Sequence, residues 1–231
     1  ALRVSYCWQF TNKPSPRCRA PPLQRERTAP MSTESQSPAA TTALDVRIFL
    51  LGTPEVWING QSILIERRIN RSMFFYLASQ GRPVSRDELL TRFWPEHSEA
   101  DARARLRETL SRLGKLFENV LNADLVRVML DFPHIYVDQL RFEGLVKQIS
   151  NLPWQIPANE PLAPNTVVLM REAVDLWRSP HFLSGIALPS SLELENWYSL
   201  TAQRLVHQCL RLLERLSEHA RAVNHTEDCL R

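Results

Sequence analysis

The chain has 231 residues, 44% hydrophobic and 23% charged, a globular balance that excludes wholesale disorder and gives room for one or two domains with real cores. Its net charge of +3 names no class of partner, and no apolar run approaches the ~18–20 residues of a membrane helix. The cysteines, Cys7, Cys18, Cys209 and Cys229, form no CxxC pair and are expected as free thiols of a cytoplasmic chain.

Residues 1–43 hold Pro14, Pro16, Pro21, Pro22, Pro30 and Pro38 among Ser, Thr and Gln, with no helix or strand period, which predicts a disordered leader. Most of the basic excess lies in residues 1–30, with six Lys/Arg against one acid. Met31 with Ser32, Thr33 and Glu34 reads as a natural start, and residues 1–30 as an upstream extension. Order is expected from Leu44. Val46–Leu51 is a buried-strand pattern ending at Gly52. Glu55–Ile58, Asn59-Gly60 and Gln61–Ile65 predict a hairpin with a type I′ turn.

Three helices are predicted next. The first covers about Ile69–Ser79, with Met73, Phe74 and Leu77 inward and Gly81 and Pro83 as stops. The second opens on a capping box, Ser85-Arg86-Asp87-Glu88, buries Leu89, Leu90 and Phe93, and stops at Pro95. The third starts near Ser98, with Glu99 and Asp101 in its first turn, and carries Leu106, Leu110, Leu113 and Phe117 on one stripe. Leu125–Leu130, a turn at Asp131–His134 and Ile135–Val137 predict a second hairpin. Beyond Asp138 the pattern is helical: from Phe142, from Thr166 to Trp177, and from Glu193 to Ala222, with a loop at 151–165. In the last helix Trp197, Leu200, Leu205, Cys209, Leu212, Leu213 and Leu216 are the apolar set. The helical run breaks off without a stop residue, which suggests a fragment of a longer protein.

No phosphate-binding glycine loop, hydrolase elbow or metalloprotease motif is present, and the scattered histidines match no zinc spacing. The sequence therefore predicts no enzyme, cofactor or metal. The third helix carries the functional signal. Opposite its apolar stripe lie Arg105, Glu108, Ser111, Arg112 and Lys115, with Arg107 on the flank. Arginine reads guanine bidentately, and Lys, Ser and Thr hold phosphates. A solvated, charged face fits the same residues. Position favours the groove: a helix and turn precede, a hairpin follows, as in a winged helix. Arg67, Arg68 and Arg71 at the start of the first helix fit phosphate contact or plain solubility equally.

Several stretches between Leu44 and Val137 carry a resemblance: Val46–Gly52 with Glu55-Val56 and Asn59-Gly60, Leu77-Ala78 through Gly81–Leu90, Phe93-Trp94-Pro95, and Arg105–Leu113. This region resembles the OmpR/PhoB-like winged-helix DNA-binding domain of SARP/AfsR-type bacterial transcriptional activators. From Asp138 on, Phe142–Leu145, Ala173–Arg178 with Phe182–Gly185, and Glu195–Trp197 through Leu205 resemble the bacterial transcriptional activation domain that follows it there, a TPR-like all-helical module. The resemblance implies an α+β winged helix-turn-helix domain at 44–137 and an all-α TPR-like domain at 138–231, the latter truncated. It also implies double-stranded DNA as partner. RNA polymerase or another protein would meet the helical module, the chain would form dimers on DNA, and no membrane would be involved.

On this reading helix 98–117 enters the major groove. Arg105, Arg112 and Thr109 reach bases. Arg107, Ser111, Lys115, Arg67, Arg68 and Arg71 hold phosphates, and Arg127 is the one base of the hairpin 125–137, the wing. Gly114 departs from the family, which commonly has a basic residue there. The predicted wing turn carries no Lys or Arg, and residues 44–137 hold thirteen Lys/Arg against twelve acids, a weak excess for binding phosphates. The second reading is therefore a helical interaction scaffold whose winged helix has lost DNA affinity.

Overall fold

The computed structural model describes residues 45–152 and 160–229, with side chains up to residue 224. The predicted leader, Cys7, Cys18 and the middle of the 151–165 loop lie outside the described residues. The first strand, β1 (Val46–Phe49), is antiparallel to β2 (Glu55–Ile58), which pairs with the short β3 (Gln61–Ser62). Asn59 and Gly60 take φ of 50° and 79°, as their type I′ turn requires. Residues 50–51, predicted to extend β1, instead bond to later parts of the chain, described below.

Helix α1 (Arg68–Gln80) was expected to bury one face. Its residues 72–79 are all buried, because β-structure, two helices and the C-terminal half surround it. Phe74 stacks on Phe117 with ring centroids 4.0 Å apart. Strand β4 (Val84–Ser85) leads into α2 (Arg86–Phe93), whose N-cap Ser85 accepts from the Glu88 N–H at 3.1 Å. The other half of the predicted capping box does not form. The Glu88 carboxylate instead accepts the Tyr76 hydroxyl at 2.6 Å and pairs with Arg82 at 3.1 Å. Burial pushes that carboxyl up, but the Tyr76 and Arg82 donors outweigh it and hold it below the usual range. Burial and the same hydrogen bond push the Tyr76 phenol far up. Ser85→Ala is expected to lose about 1 kcal/mol, read as a lower urea midpoint at unchanged slope.

After α3 (Glu99–Leu116) the structure corrects the second hairpin. The wing is β5 (Leu121–Ala123) with β6 (Arg127–Leu130), joined by β4 into a sheet of order β4-β6-β5. Leu125 and Val126 alternate like a strand but form its tip, 93% and 64% exposed. The Asp124 carboxylate causes this: it accepts from the N–H groups of Val126 and Arg127, both at 2.6 Å, and turns the chain there. Those donors hold its carboxyl below the usual range. Phe132–His134 forms a 3₁₀ turn around Pro133. The following β7 (Ile135–Val137) leaves the wing and runs parallel to β1, giving a first sheet of order β3-β2-β1-β7.

The C-terminal half is α4 (Asp138–Ser150), α5 (Pro164–Asp175) and α6 (Leu192–Cys229), packed in sequence order. Its regular elements among the described residues are all helices, as expected, although α4 starts four residues before Phe142. Leu200 and Leu213, expected inward, are 68% and 43% exposed, while Leu205, Cys209 and Leu212 are buried. Burial pushes the Cys209 thiol up.

The described residues form one compact unit. Leu50 and Leu51 donate backbone N–H groups to the Asp138 carboxylate at 2.7 and 3.0 Å. The segment after α5 returns to the same corner: the N–H groups of Arg178, Leu183 and Ser184 donate to the carbonyls of Leu51, Leu50 and Gly52. Gly52 has φ 138°, and a Cβ there would lie 3.1 Å from Arg178 Cβ, so only glycine fits. Trp197 of α6 packs edge-on against Tyr76, with centroids 4.8 Å apart.

Candidate nucleic-acid interface

The candidate interface is built from α2, the turn at residues 94–98, and α3. Ser98 caps α3 by accepting the Asp101 N–H at 3.2 Å. The helix turns Ala102, Leu106, Leu110 and Leu113 inward, and Phe117 continues the same stripe. Arg105, Arg107, Ser111, Arg112 and Lys115 are all exposed on the opposite side, as predicted. Thr109 is not among them. It is 4% exposed, so it cannot touch a base. It stands three residues after Leu106 and four before Leu113, a spacing that places it on the core face.

Two crevices flank this face. On one side Arg67 and Arg68 stand beside Arg105, Glu108 and Arg112. Arg71 is not among the residues lining this crevice: it is half-buried, and its Nη1 donates to the Ile65 carbonyl at 3.5 Å, within the loop that leads into α1. On the other side the wing tip, Leu125 and Val126, faces Arg103 and Arg107 of α3 and Arg86 of α2. The Arg86 side chain donates to the Asp124 carbonyl at 2.8 Å and fixes the tip against α2. Arg127 does not join this crevice. It lines a separate one on the wing, with Pro83, Asn122 and Met129.

Charge is distributed unevenly over the face. Arg103 pairs with Glu99, and Arg67 and Arg112 both pair with Glu108, at 3.3 and 2.8 Å. Arg112 chiefly, and Arg67 with it, hold the Glu108 carboxyl below the usual range. Among the described residues Arg68, Arg105, Arg107 and Lys115 make no ion pair. Arg86, Arg103 and Leu125 were not picked out from the sequence. Arg103 stands one turn before Arg107, which is the signal that could have found it.

An exposed cationic helix, preceded by a capped helix and turn and flanked by a three-stranded hairpin sheet, is a winged helix-turn-helix, here continued by helices packed on its first sheet. The solved structure of Mycobacterium tuberculosis EmbR in complex with low affinity phosphopeptide is similar in fold: TM-score 0.54, 22% sequence identity, covering 81% of this chain and 50% of that one. The present chain thus spans about half the length of that protein. No family model matches the sequence, and no curated protein matches it either.

The described residues contain no group of three or more His, Cys, Asp or Glu side chains that could hold a metal ion. Among them no helix is long and apolar enough to cross a membrane.

Proposed function

We propose that this chain is a DNA-binding transcriptional regulator of the SARP/AfsR type, acting in the bacterial cytoplasm. The division of labour falls at 137/138: residues 44–137 bind DNA, and residues 138–231 form the activation module. One observation carries the reading: the core-facing stripe of α3 leaves Arg105, Arg107, Arg112 and Lys115 together on an open face between a wing and a second arginine pair. A helix of this kind fits the major groove, where Arg105 and Arg112 meet base edges and Arg107, Lys115, Ser111, Arg67 and Arg68 meet phosphates. The wing tip carries no cation. Leu125 meets the sugar edge of the adjacent minor groove as an apolar contact. The exposed leucines of α6, Leu200, Leu210 and Leu213, serve a protein partner, either RNA polymerase or a second copy on DNA.

Those leucines and the cation-free tip also favour the scaffold reading, and salt titration separates the two. With a pool of duplex fragments the full chain is expected to bind at ~50 mM salt and to lose affinity steeply towards ~200 mM, with a log–log slope of about −0.9 per phosphate contacted. Absence of retention at the lower salt would leave the scaffold.

A further inference from the structure

Glu108 is out of place on a face meant for a polyanion. It stands in the middle of α3, one turn before Arg112, and its side chain is more than half exposed. It plays no part in the core, and exposed ion pairs contribute little to stability. Its contacts are nonetheless specific. Arg67 Nη1, Arg112 Nε and Arg112 Nη2 all donate to the same oxygen, Oε1, at 3.3, 3.0 and 2.8 Å. Oε2 has no donor among the described residues. Glu108 lines both grooves that contain Arg67 and Arg112, so it sits on the ridge between them.

Two consequences follow from charge and geometry. A phosphate approaching Arg67 or Arg112 meets a carboxylate already holding both guanidinium groups, so non-specific contact with either is weakened. A base edge is different. In the major groove cytosine N4 is an amino donor that a carboxylate accepts, while a neighbouring guanine offers O6 and N7 to an arginine. The unengaged Oε2 can take the first while Arg112 takes the second. Repulsion elsewhere and acceptance at one base pattern is how an interface gains discrimination without added affinity.

We propose that Glu108 is the specificity-determining residue of this interface: it weakens the hold of Arg67 and Arg112 on the phosphate backbone in general and favours a site that presents a cytosine amino group to its second oxygen. The proposal rests on the DNA-binding reading above. The observation that serves it beyond that reading is the clustering of three donors from two arginines on one oxygen of an exposed carboxylate.

The test uses the full chain and five variants: Glu108→Gln, Glu118→Gln as a charge control outside the face, and Arg105→Ala and Arg107→Ala singly and together. Each is titrated against a random-sequence duplex across a salt series, and the wild type and Glu108→Gln are each put through selection from a randomised duplex pool. Glu108→Gln is expected to bind the random duplex ~10-fold more tightly at ~50 mM salt, with a slope steeper by one to two contacts of about 0.9 each. Its selected sites should lose the cytosine preference that the wild type enriches. Glu118→Gln should change neither. If Glu108→Gln binds no more tightly, if Glu118→Gln matches it, or if both proteins select the same sites, Glu108 has no such role, while weakened binding by the arginine variants keeps the DNA reading intact. If no protein binds, or the arginine variants bind as the wild type does, the DNA reading falls and this proposal with it.

Discussion

Replacing Asp138 by alanine is expected to destabilise the fold by about 3–5 kcal/mol, lowering the melting temperature by roughly 6–15 °C. Asp138 is 1% exposed and opens α4. Its carboxylate accepts the Leu50 N–H at 2.7 Å, the Leu51 N–H at 3.0 Å and its own neighbour's, Gln139, at 2.7 Å. Without it these buried donors lose their acceptor where β1 ends and the post-α5 segment bonds back. Asp138→Asn keeps Oδ1 for Leu50 and Gln139 and loses only the Leu51 bond, so its loss should be clearly smaller. Urea unfolding of both variants measures the order. Equal losses, or an alanine loss below about 1 kcal/mol, would mean that water replaces the carboxylate at this corner.

The same group gives a pH signature. Burial pushes the Asp138 carboxyl above the ordinary range, against the pull of the Leu50, Leu51 and Gln139 N–H groups. A folded-state value above the unfolded one means that the folded chain holds the proton more tightly. The contribution is then complete below the ordinary carboxylate value and is lost as pH rises through the raised one. The stability of the wild type relative to Asp138→Asn, which does not titrate there, is expected to decline from acid towards neutral pH.

Asp138 also shows where the sequence stops being legible. Features fixed by neighbours in the chain could be read from it: the Asn59-Gly60 turn, the Ser85 and Ser98 caps, and the stripe of α3. Features fixed by distant partners could not. Ser85-x-x-Glu88 is a complete capping box on paper, but Tyr76 and Arg82 offer the Glu88 carboxylate stronger donors than the N-cap amide does. Leu125-Val126-Arg127-Val128 alternates like a strand, and only the Asp124 side chain moves the turn into it. The parallel pairing of β7 with β1 spans α1, α2 and α3 and leaves no local trace. At the interface the exposed arginines were visible because helical spacing alone decides their side. Thr109 was assigned by its chemistry when its spacing already placed it inward, and the pairing of Glu108 with Arg67, forty-one residues away, was out of reach of local periodicity.

Removing Arg105 and Arg107 together is expected to weaken duplex binding at least ~30-fold at ~100 mM salt, from two contacts of about 1–3 kcal/mol each. These two are chosen because neither has an ion-pair partner among the described residues, so their full charge faces outward. Arg112 shares its charge with Glu108 at 2.8 Å, and Arg112→Ala should weaken binding to random sequence less than Arg107→Ala does. The arginines can be told apart by salt. A lost phosphate contact lowers the slope by about one and acts on every sequence alike, whereas a lost base contact leaves the slope unchanged and relaxes one position of the site. Arg107, beside the wing crevice, should behave as the first kind, and Arg105 as the second. Both side chains are exposed, so unfolding midpoints of the variants should match the wild type within about 0.5 kcal/mol. Unchanged affinity at unchanged stability would place the DNA on some surface other than α3.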